Sequence, residues 1–101
     1  MRLENKIAIV VGGGGGMGRE TVLHLAKEGA NVIVADLNFK QANAVYEKVK
    51  QIKNEDCGFA LEVDVRKSES VNIMVEKVVN KFGRIDILAN FAGVLEVSPC
   101  Y

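Results

Sequence analysis

Four short stretches of this chain are almost entirely apolar, and longer stretches with apolar residues at helical spacing separate them. The apolar stretches are residues 7–11, 31–36, 59–65 and 85–91. Their length and their β-branched residues predict strands. Strands with few polar positions that alternate with helices are typical of a parallel sheet covered on both faces. The pattern therefore predicts an α/β fold.

Three amphipathic helices are predicted between these strands. The first follows residues 12–18, the second covers residues 39–52, and the third begins with Ser68 as its N-cap and ends before Gly83. In the third helix, apolar residues recur at i, i+3, i+4, i+7, i+8 and i+11 from Val71. The predicted element order is therefore βαβαβαβ.

A run of glycines joins the first strand to the first helix. Six of the seven residues from Gly12 to Gly18 are glycine. Glycine reaches backbone angles closed to other residues, and it lets a pyrophosphate approach the backbone and the N–H groups of the helix. The run contains both GxGxxG and GxxxGxG, whereas Arg19 and Glu20 stand where a P-loop needs lysine and serine or threonine. The flanking strand and helix favour a dinucleotide phosphate site over a flexible linker.

Right-handed crossovers determine the predicted topology. Strands one, two and three step outward, and strand four returns to the other side of strand one. This gives the order 3-2-1-4 of a Rossmann-type parallel sheet. A crevice then opens between the carboxyl ends of strands one and four, where the glycine run and residues 90–93 meet. Strand four lies at an edge in this arrangement, although its apolar residues are suited to burial.

Two aspartates at strand ends are candidates for binding an adenosine. Asp36 ends the second strand, 18 residues after Gly18, where a carboxylate can accept hydrogen bonds from ribose hydroxyls and would repel a 2′-phosphate. Leu37 and Asn38 follow it and add no positive charge, so we expect NAD rather than NADP. Asp64 closes the third strand and can accept from the adenine amino group. Its alternative role is to begin the turn before the third helix.

Composition excludes several other classes of function. The 13 basic and 13 acidic residues balance and are scattered, which disfavours a nucleic-acid or anionic membrane partner. Residues 1–6 include acidic, basic and amide side chains, and the five-residue apolar run that follows them is too short for a signal peptide or a transmembrane helix, so we expect a cytoplasmic protein. Cys57, Cys100 and the single histidine, His24, have no metal-ligand or disulfide spacing, so we expect no metal site.

Three segments together resemble the short-chain dehydrogenase/reductase family of the classical type. Residues 11–18 resemble its TGxxxGxG motif, residues 64–65 its adenine-contact pair, and residues 85–93 its strand ending in NNAG. The resemblance extends over essentially the whole chain. Val11 replaces the usual threonine and Phe91 the second asparagine, which removes local hydrogen-bonding groups.

The resemblance implies a set of cofactor contacts. The glycine run would hold the pyrophosphate, Asp36 the ribose and residues 64–65 the adenine, while Asn90 would support strand four beside the cofactor. The residues expected to bind NAD are Gly12, Gly15, Gly16, Met17, Gly18, Asp36, Leu37, Asp64, Val65, Asn90, Ala92 and Gly93. We expect Gly14→Ala to be milder than valine at Gly16 or Gly18.

The resemblance also implies what the chain does. Residues 1–101 would be the N-terminal, NAD-binding part of a larger single-domain enzyme that transfers hydride between nicotinamide and a small alcohol or ketone. The family's catalytic serine, its YxxxK pair and its helix asparagine would follow residue 101. We therefore expect a fold truncated after strand four that is inactive alone, and a homo-oligomer for the full-length enzyme.

Two other functions stay open at this point. A non-catalytic dinucleotide-binding module would bind NADH without turnover. A methyltransferase would use a similar glycine turn, and an acidic residue after the second strand, to bind S-adenosylmethionine. Titration with the two ligands would separate these classes.

Overall fold

The computed structural model describes residues 3–53 and 58–92, with the side chain of residue 53 left out. Strands and helices alternate along the whole described part of the chain. In order, they are β1 (Ile7–Val11), α1 (Gly16–Lys27), β2 (Asn31–Asp36), α2 (Phe39–Lys53), β3 (Gly58–Glu62), α3 (Ser68–Phe82) and β4 (Ile87–Asn90). This confirms the predicted βαβαβαβ order.

The four strands form one parallel sheet in the order β3-β2-β1-β4. The predicted order 3-2-1-4 is therefore confirmed. In the register of the sheet, Val11 at the end of β1 pairs with Ala35 on one side and with Asn90 on the other. The carboxyl ends of β1, β2 and β4 consequently meet at one edge, where the glycine run leaves the sheet.

The two faces of the sheet carry separate hydrophobic clusters. Ala8 and Val10 of β1 point to one face and pack in a cluster with residues of α1 and α2. Ile9 and Val11 point to the other face and pack with residues of α3, Met74 among them. Alternate side chains of a strand leave on opposite faces, so a central strand covered on both sides is apolar throughout.

The third strand is shorter than the sequence predicts. It ends at Glu62 rather than at residue 65. The N–H of Val63 still donates to the carbonyl oxygen of Asp36 at 3.1 Å, but the next N–H, that of Asp64, donates to the Ser70 hydroxyl at 3.0 Å. The chain therefore leaves the sheet towards α3, and Asp64 lies beyond the strand instead of closing it.

The structure also begins three other elements at residues that differ from the prediction. Helix α1 begins at Gly16, inside the glycine run, instead of after it. Helix α3 has Lys67 at its N-cap, so the prediction that Ser68 is the cap is wrong, and no side chain caps this end. Strand β4 begins at Ile87 because the Asp86 carboxylate accepts the Ile7 N–H at 2.8 Å, a bond that strand pairing would otherwise make.

Strand β4 lies at an edge of the sheet, as predicted. Only β1 pairs with it among the described residues. Leu88 on this strand is 40% exposed, whereas the residues of β1 are buried. The apolar side chains of β4 are thus less covered than those of the central strands.

We expect replacement of Asp86 by asparagine to remove a pH-dependent part of the stability. The Ile7 N–H and then the Arg84 guanidinium, whose Nε lies 2.9 Å from Oδ2, hold the pKa of Asp86 below its ordinary value. A carboxyl with a lowered pKa in the folded state stabilises the fold above its ordinary pKa, and this contribution is lost as the pH falls through the folded pKa.

Urea unfolding at pH 7 and pH 3 measures this contribution. The Asp86→Asn variant should have a lower unfolding midpoint than the wild type at pH 7, and the difference should shrink below about pH 4. An equal difference at both pH values would show that the charge of Asp86 does not matter.

Candidate functional site

The glycine loop turns back over the end of β2. The N–H of Gly12 donates to the carbonyl oxygen of Ala35 at 2.7 Å, and Gly12 has a left-handed φ of 79°. A Cβ on Gly12 would lie 3.0 Å from the backbone carbon of Phe91. Both the backbone angle and the close approach of the chain after β4 therefore require glycine at this position.

Gly18 brings α1 into direct contact with the loop. A Cβ on Gly18 would overlap the carbonyl oxygen of Gly12 and would lie 2.8 Å from its carbon. Gly18 is buried, although it lies in the first turn of the helix. The absence of a side chain is therefore what lets α1 start against the end of β1.

The amino-terminal end of α1 faces the loop without a side-chain cap. Gly15 is the N-cap residue, and no acidic residue lies in the first turn. The Arg19 N–H donates to the Gly15 carbonyl oxygen at 3.3 Å, so the N–H groups of residues 16–18 precede the hydrogen-bond ladder of the helix. Such groups and the positive end of the helix dipole attract phosphate oxygens. Met17 is 75% exposed at this end.

Asp36 links the end of β2 to the glycine loop. Its Oδ2 accepts the N–H of Gly14 at 3.0 Å, and its Oδ1 accepts the N–H of Asn38 at 2.9 Å. Each carboxylate oxygen keeps capacity for a further hydrogen bond, because each can accept two. The carboxylate is thus held in place and still able to accept from hydroxyl groups.

The geometry leaves little room for Gly14→Ala, the change expected to be milder than valine at Gly16 or Gly18. A Cβ on Gly14 would lie 2.9 Å from Oδ2 of Asp36 and 2.9 Å from Cβ of Gln41. The substitution would therefore push against the carboxylate expected to bind ribose. The close contact arises from the fold, because α2 packs over the loop.

Asp64 forms a bidentate ion pair with Arg66. Arg66 Nε lies 2.9 Å from Oδ1 and Nη2 lies 2.9 Å from Oδ2, while the Arg66 N–H donates to Oδ1 at 3.0 Å. These hydrogen bonds from Arg66 lower the pKa of Asp64 from 3.8 to about 2. The Lys67 N–H also donates to the Asp64 carbonyl oxygen at 3.0 Å. Asp64 therefore does begin the turn before α3, the alternative role named above.

The chain after β4 runs beside the glycine loop. The Phe91 N–H donates to the Val11 carbonyl oxygen at 2.8 Å, which continues the pairing with β1. Oδ1 of Asn90 accepts the Ala92 N–H at 3.0 Å and so stabilises the turn that follows the strand. The predicted contact at Gly93 lies outside the described residues.

A cleft of about 440 Å³ lies at the carboxyl edge of the sheet. It brings together seven of the residues predicted to bind a cofactor, which are Gly12, Gly15, Asp36, Leu37, Asp64, Val65 and Ala92. Gly16, Met17 and Gly18 in the first turn of α1, and Asn90 on β4, are not among the lining residues. The predicted residues thus meet at one site, although they come from four separate segments of the chain.

Four lining residues were not predicted from the sequence. They are Val11, Gln41, Val63 and Arg66, whereas Phe91 lies within residues 90–93, which the sequence places at the crevice. A signal for Gln41 exists, because Asn38 and Gln41 have the spacing of a capping box and Oδ1 of Asn38 accepts the Gln41 N–H at 3.2 Å. No comparable signal marks Arg66, since its place in the cleft follows from the turn at Asp64.

Neither a metal centre nor a membrane span is found within residues 3–53 and 58–92. No group of three or more histidine, cysteine or acidic side chains converges there. No described helix is long and apolar enough to cross a bilayer. His24 is exposed on α1, while Cys57 and Cys100 lie outside the described residues.

Comparison with known proteins identifies the family. Residues 6–101 match the sequence profile described as short chain dehydrogenase. The chain belongs to the short-chain dehydrogenase family. The fold agrees, because a crystal structure of hydroxysteroid dehydrogenase from Escherichia coli superimposes with a TM-score of 0.83 at 34% identity, covering 88% of this chain and 37% of that one. Proteins of the short-chain dehydrogenase family are oxidoreductases with a Rossmann fold.

Two curated relatives illustrate the range of lengths in the family. The 7alpha-hydroxysteroid dehydrogenase of Escherichia coli K12 is 34% identical over 93 residues, which cover 92% of this chain and 36% of the relative. The short-chain dehydrogenase/reductase homolog YusS of Bacillus subtilis 168 is 37% identical over 101 residues, which cover 98% of this chain and 90% of the relative. The chain thus spans about a third of the length of the first relative and nearly all of the second.

Proposed function

We propose that this chain binds NAD(H) and is the cofactor-binding part of an enzyme that transfers hydride between nicotinamide and an alcohol or carbonyl substrate. The observation that carries the proposal is the position of Asp36, whose carboxylate lines the cleft and is held against the glycine loop by the Gly14 N–H at 3.0 Å. A carboxylate at this point of the fold binds the hydroxyls of an adenosine ribose.

The chemistry of the cleft fits a dinucleotide. Gly15 and Gly16 leave space beside the loop, because a Cβ on Gly15 would meet only an atom 3.7 Å away and a Cβ on Gly16 would meet none within 4 Å. A pyrophosphate would lie there, close to the N–H groups of the first turn of α1. Adenine would lie between Leu37 and the residue pair 64–65, and the nicotinamide end would point towards Asn90 and Ala92.

The charges of the cleft favour NAD over NADP. Asp36 would face a 2′-phosphate with a like charge, and Leu37 next to it is exposed but uncharged. Among the described residues that line the cleft, Arg66 is the one cation, and its guanidinium is already paired with both oxygens of Asp64. Little positive charge is therefore left to hold an additional phosphate.

In this proposal the chain binds and orients the cofactor, and bound nicotinamide supplies the hydride chemistry. The residues of the cleft place the dinucleotide across the carboxyl edge of the sheet. None of the residues proposed to hold the cofactor is assigned a role in proton transfer. For the whole protein we propose a small alcohol or ketone as substrate, a homo-oligomer and a cytoplasmic location.

Replacing Asp36 tests the proposal directly. Asp36→Ala should weaken NADH binding by about 1 to 3 kcal/mol, because charge-assisted hydrogen bonds to the ribose are lost. NADPH binding should weaken less or improve, since the repelling carboxylate is gone. Calorimetric titration of both cofactors measures the two changes.

The matched control is Glu76→Ala on the exposed face of α3, which removes the same charge away from the cleft. This control should bind NADH like the wild type. A wild-type chain that binds NADPH more tightly than NADH would overturn the assignment of the cofactor.

A second candidate is a dinucleotide-binding protein without turnover. The observation that favours it is the short Bacillus subtilis homolog, because the match covers 90% of that relative. Such a protein would bind NADH but would not oxidise secondary alcohols. An S-adenosylmethionine titration run beside the NADH titration separates both candidates from a methyltransferase.

A further inference from the structure

The two side chains of the ion pair between Asp64 and Arg66 differ in their exposure to solvent. The Asp64 side chain is 17% exposed, whereas that of Arg66 is 77% exposed. The guanidinium therefore lies on the solvent side and reaches back over a mostly covered carboxylate. Because the guanidinium bonds to both carboxylate oxygens, it fixes the carboxylate in one orientation, which a single contact would not do.

The main chain at Asp64 is fixed separately. Its N–H donates to the Ser70 hydroxyl at 3.0 Å, and its carbonyl oxygen accepts the Lys67 N–H at 3.0 Å. The backbone of Asp64 is thus held without Arg66, while the orientation of its carboxylate depends on Arg66. Removal of the guanidinium should leave the turn in place and leave the carboxylate held only at Oδ1 by the Arg66 backbone N–H, so that Oδ2 loses its fixed position.

The hydrogen bonds divide unequally between the two carboxylate oxygens. Oδ1 accepts two bonds, from the Arg66 backbone N–H and from Nε, whereas Oδ2 accepts one, from Nη2. A carboxylate oxygen has two lone pairs, so Oδ1 is filled and Oδ2 keeps one acceptor position. Asp64 lines the cleft together with Asp36 and Leu37, in the part where an adenosine would bind.

We propose that Arg66 is a positioning residue for base recognition: it orients Asp64 so that the open lone pair of Oδ2 accepts a hydrogen bond from the 6-amino group of a purine. The proposal rests on the dinucleotide-binding function proposed above and names its base specificity. A 6-oxo purine has a carbonyl oxygen at the same place. That oxygen has no hydrogen to donate and is repelled by the carboxylate.

The test compares NADH with its hypoxanthine analogue, reduced nicotinamide hypoxanthine dinucleotide, in which a carbonyl oxygen replaces the 6-amino group of the base and N1 carries a hydrogen. The wild-type chain should bind NADH about tenfold more tightly, the difference expected for one hydrogen bond to a charged acceptor. In Arg66→Ala, NADH binding should weaken while binding of the analogue stays nearly the same, so that the ratio falls to about twofold. If the role of Arg66 is purely structural, Arg66→Ala should weaken the binding of both ligands equally and leave the ratio of their affinities unchanged.

Two further variants sharpen the test. Arg66→Lys should give an intermediate ratio. A lysine ammonium group would contact the Asp64 carboxylate at one point, whereas the guanidinium makes two parallel hydrogen bonds to it. Lys67→Ala removes a neighbouring positive charge whose side chain makes no described bond to the Asp64 carboxylate, so it should keep the tenfold ratio. A fall in the ratio in Lys67→Ala equal to that in Arg66→Ala would reduce the effect to net charge and overturn the proposal.

The outcomes separate this proposal from the one on which it rests. If the wild type binds NADH in a manner that depends on Asp36, but Arg66→Ala keeps the tenfold ratio, the role of Arg66 is wrong and the cofactor site stands. If the wild type binds neither dinucleotide, the cofactor assignment fails, and base recognition by Asp64 fails with it.

Discussion

Replacing Gly18 with alanine is expected to destabilise the fold and abolish dinucleotide binding together. The added methyl group would overlap the carbonyl oxygen of Gly12, which is backbone and cannot rotate away. Relief requires α1 to move off the end of β1, where the N–H groups of its first turn would meet a pyrophosphate. Overpacking of this kind costs about 1 to 3 kcal/mol or more, a large part of the roughly 5 to 15 kcal/mol that stabilises a domain of this size. Urea unfolding and NADH titration measure the two effects.

Gly15→Ala is the matched control for the unfolding measurement. Gly15 has an extended φ of −155°, which any residue adopts, and a Cβ there would meet only the Gln41 Oε1 at 3.7 Å. Its unfolding midpoint should therefore stay close to that of the wild type. Equal midpoints for the alanine variants at Gly18 and Gly15 would mean that α1 does not pack on the loop as described.

Replacing Ile33 with alanine is expected to cause the largest loss of stability of any single truncation in the sheet. Ile33 is fully buried at the centre of β2, between Ile9 of β1 and Phe59 of β3. Its side chain belongs to the cluster that α3 covers. Loss of the buried methyl and methylene groups, and the cavity that remains, should cost about 3 to 4 kcal/mol. Chemical unfolding with an unchanged m-value measures the difference.

Ile73→Ala provides the same chemical change at a position that is 45% exposed on α3. It should cost less than about 1 kcal/mol, because little apolar surface returns to water. A similar cost at both positions would contradict the assignment of Ile33 to the buried cluster that α3 covers.

The expected changes differ in kind as well as in size. Gly18→Ala acts on the geometry of the loop, so stability and binding should fall together. Ile33→Ala acts on the core, so the fraction that remains folded should still bind NADH with unchanged affinity. Asp36→Ala should do the reverse, because Asp36 is partly exposed at the strand end and contributes to the cleft more than to the core.

The sequence by itself was enough to predict the element order and the order of the strands. Both follow from local properties: apolar runs mark strands buried on two faces, helical spacing marks the crossovers, and right-handed crossovers leave few topologies. The glycine run and Asp36 were also found from the sequence, because their chemistry depends on a fixed distance along one strand–helix–strand unit.

The ends of the elements and the contacts across the cleft were decided only by the tertiary structure. Hydrogen bonds between distant segments, such as Asp86 to Ile7 and Asp64 to Ser70, determine where β4 begins and where β3 ends. The steric demand at Gly18 depends on where the Gly12 carbonyl lies in space. Such contacts join positions far apart in the chain, so no local sequence pattern predicts them.

Arg66 shows the same division at a single residue. Along the chain it is one of 13 basic residues with no motif around it. In the fold, the turn that Asp64 begins brings the guanidinium back onto the Asp64 carboxylate and into the lining of the cleft. The sequence determined which chemical groups stand at the strand ends. The packing of helices and turns around those ends decided which oxygen of Asp64 is left to accept a ligand. The directions of the hydrogen bonds to the carboxylate determine this, and spacing along the chain does not specify those directions.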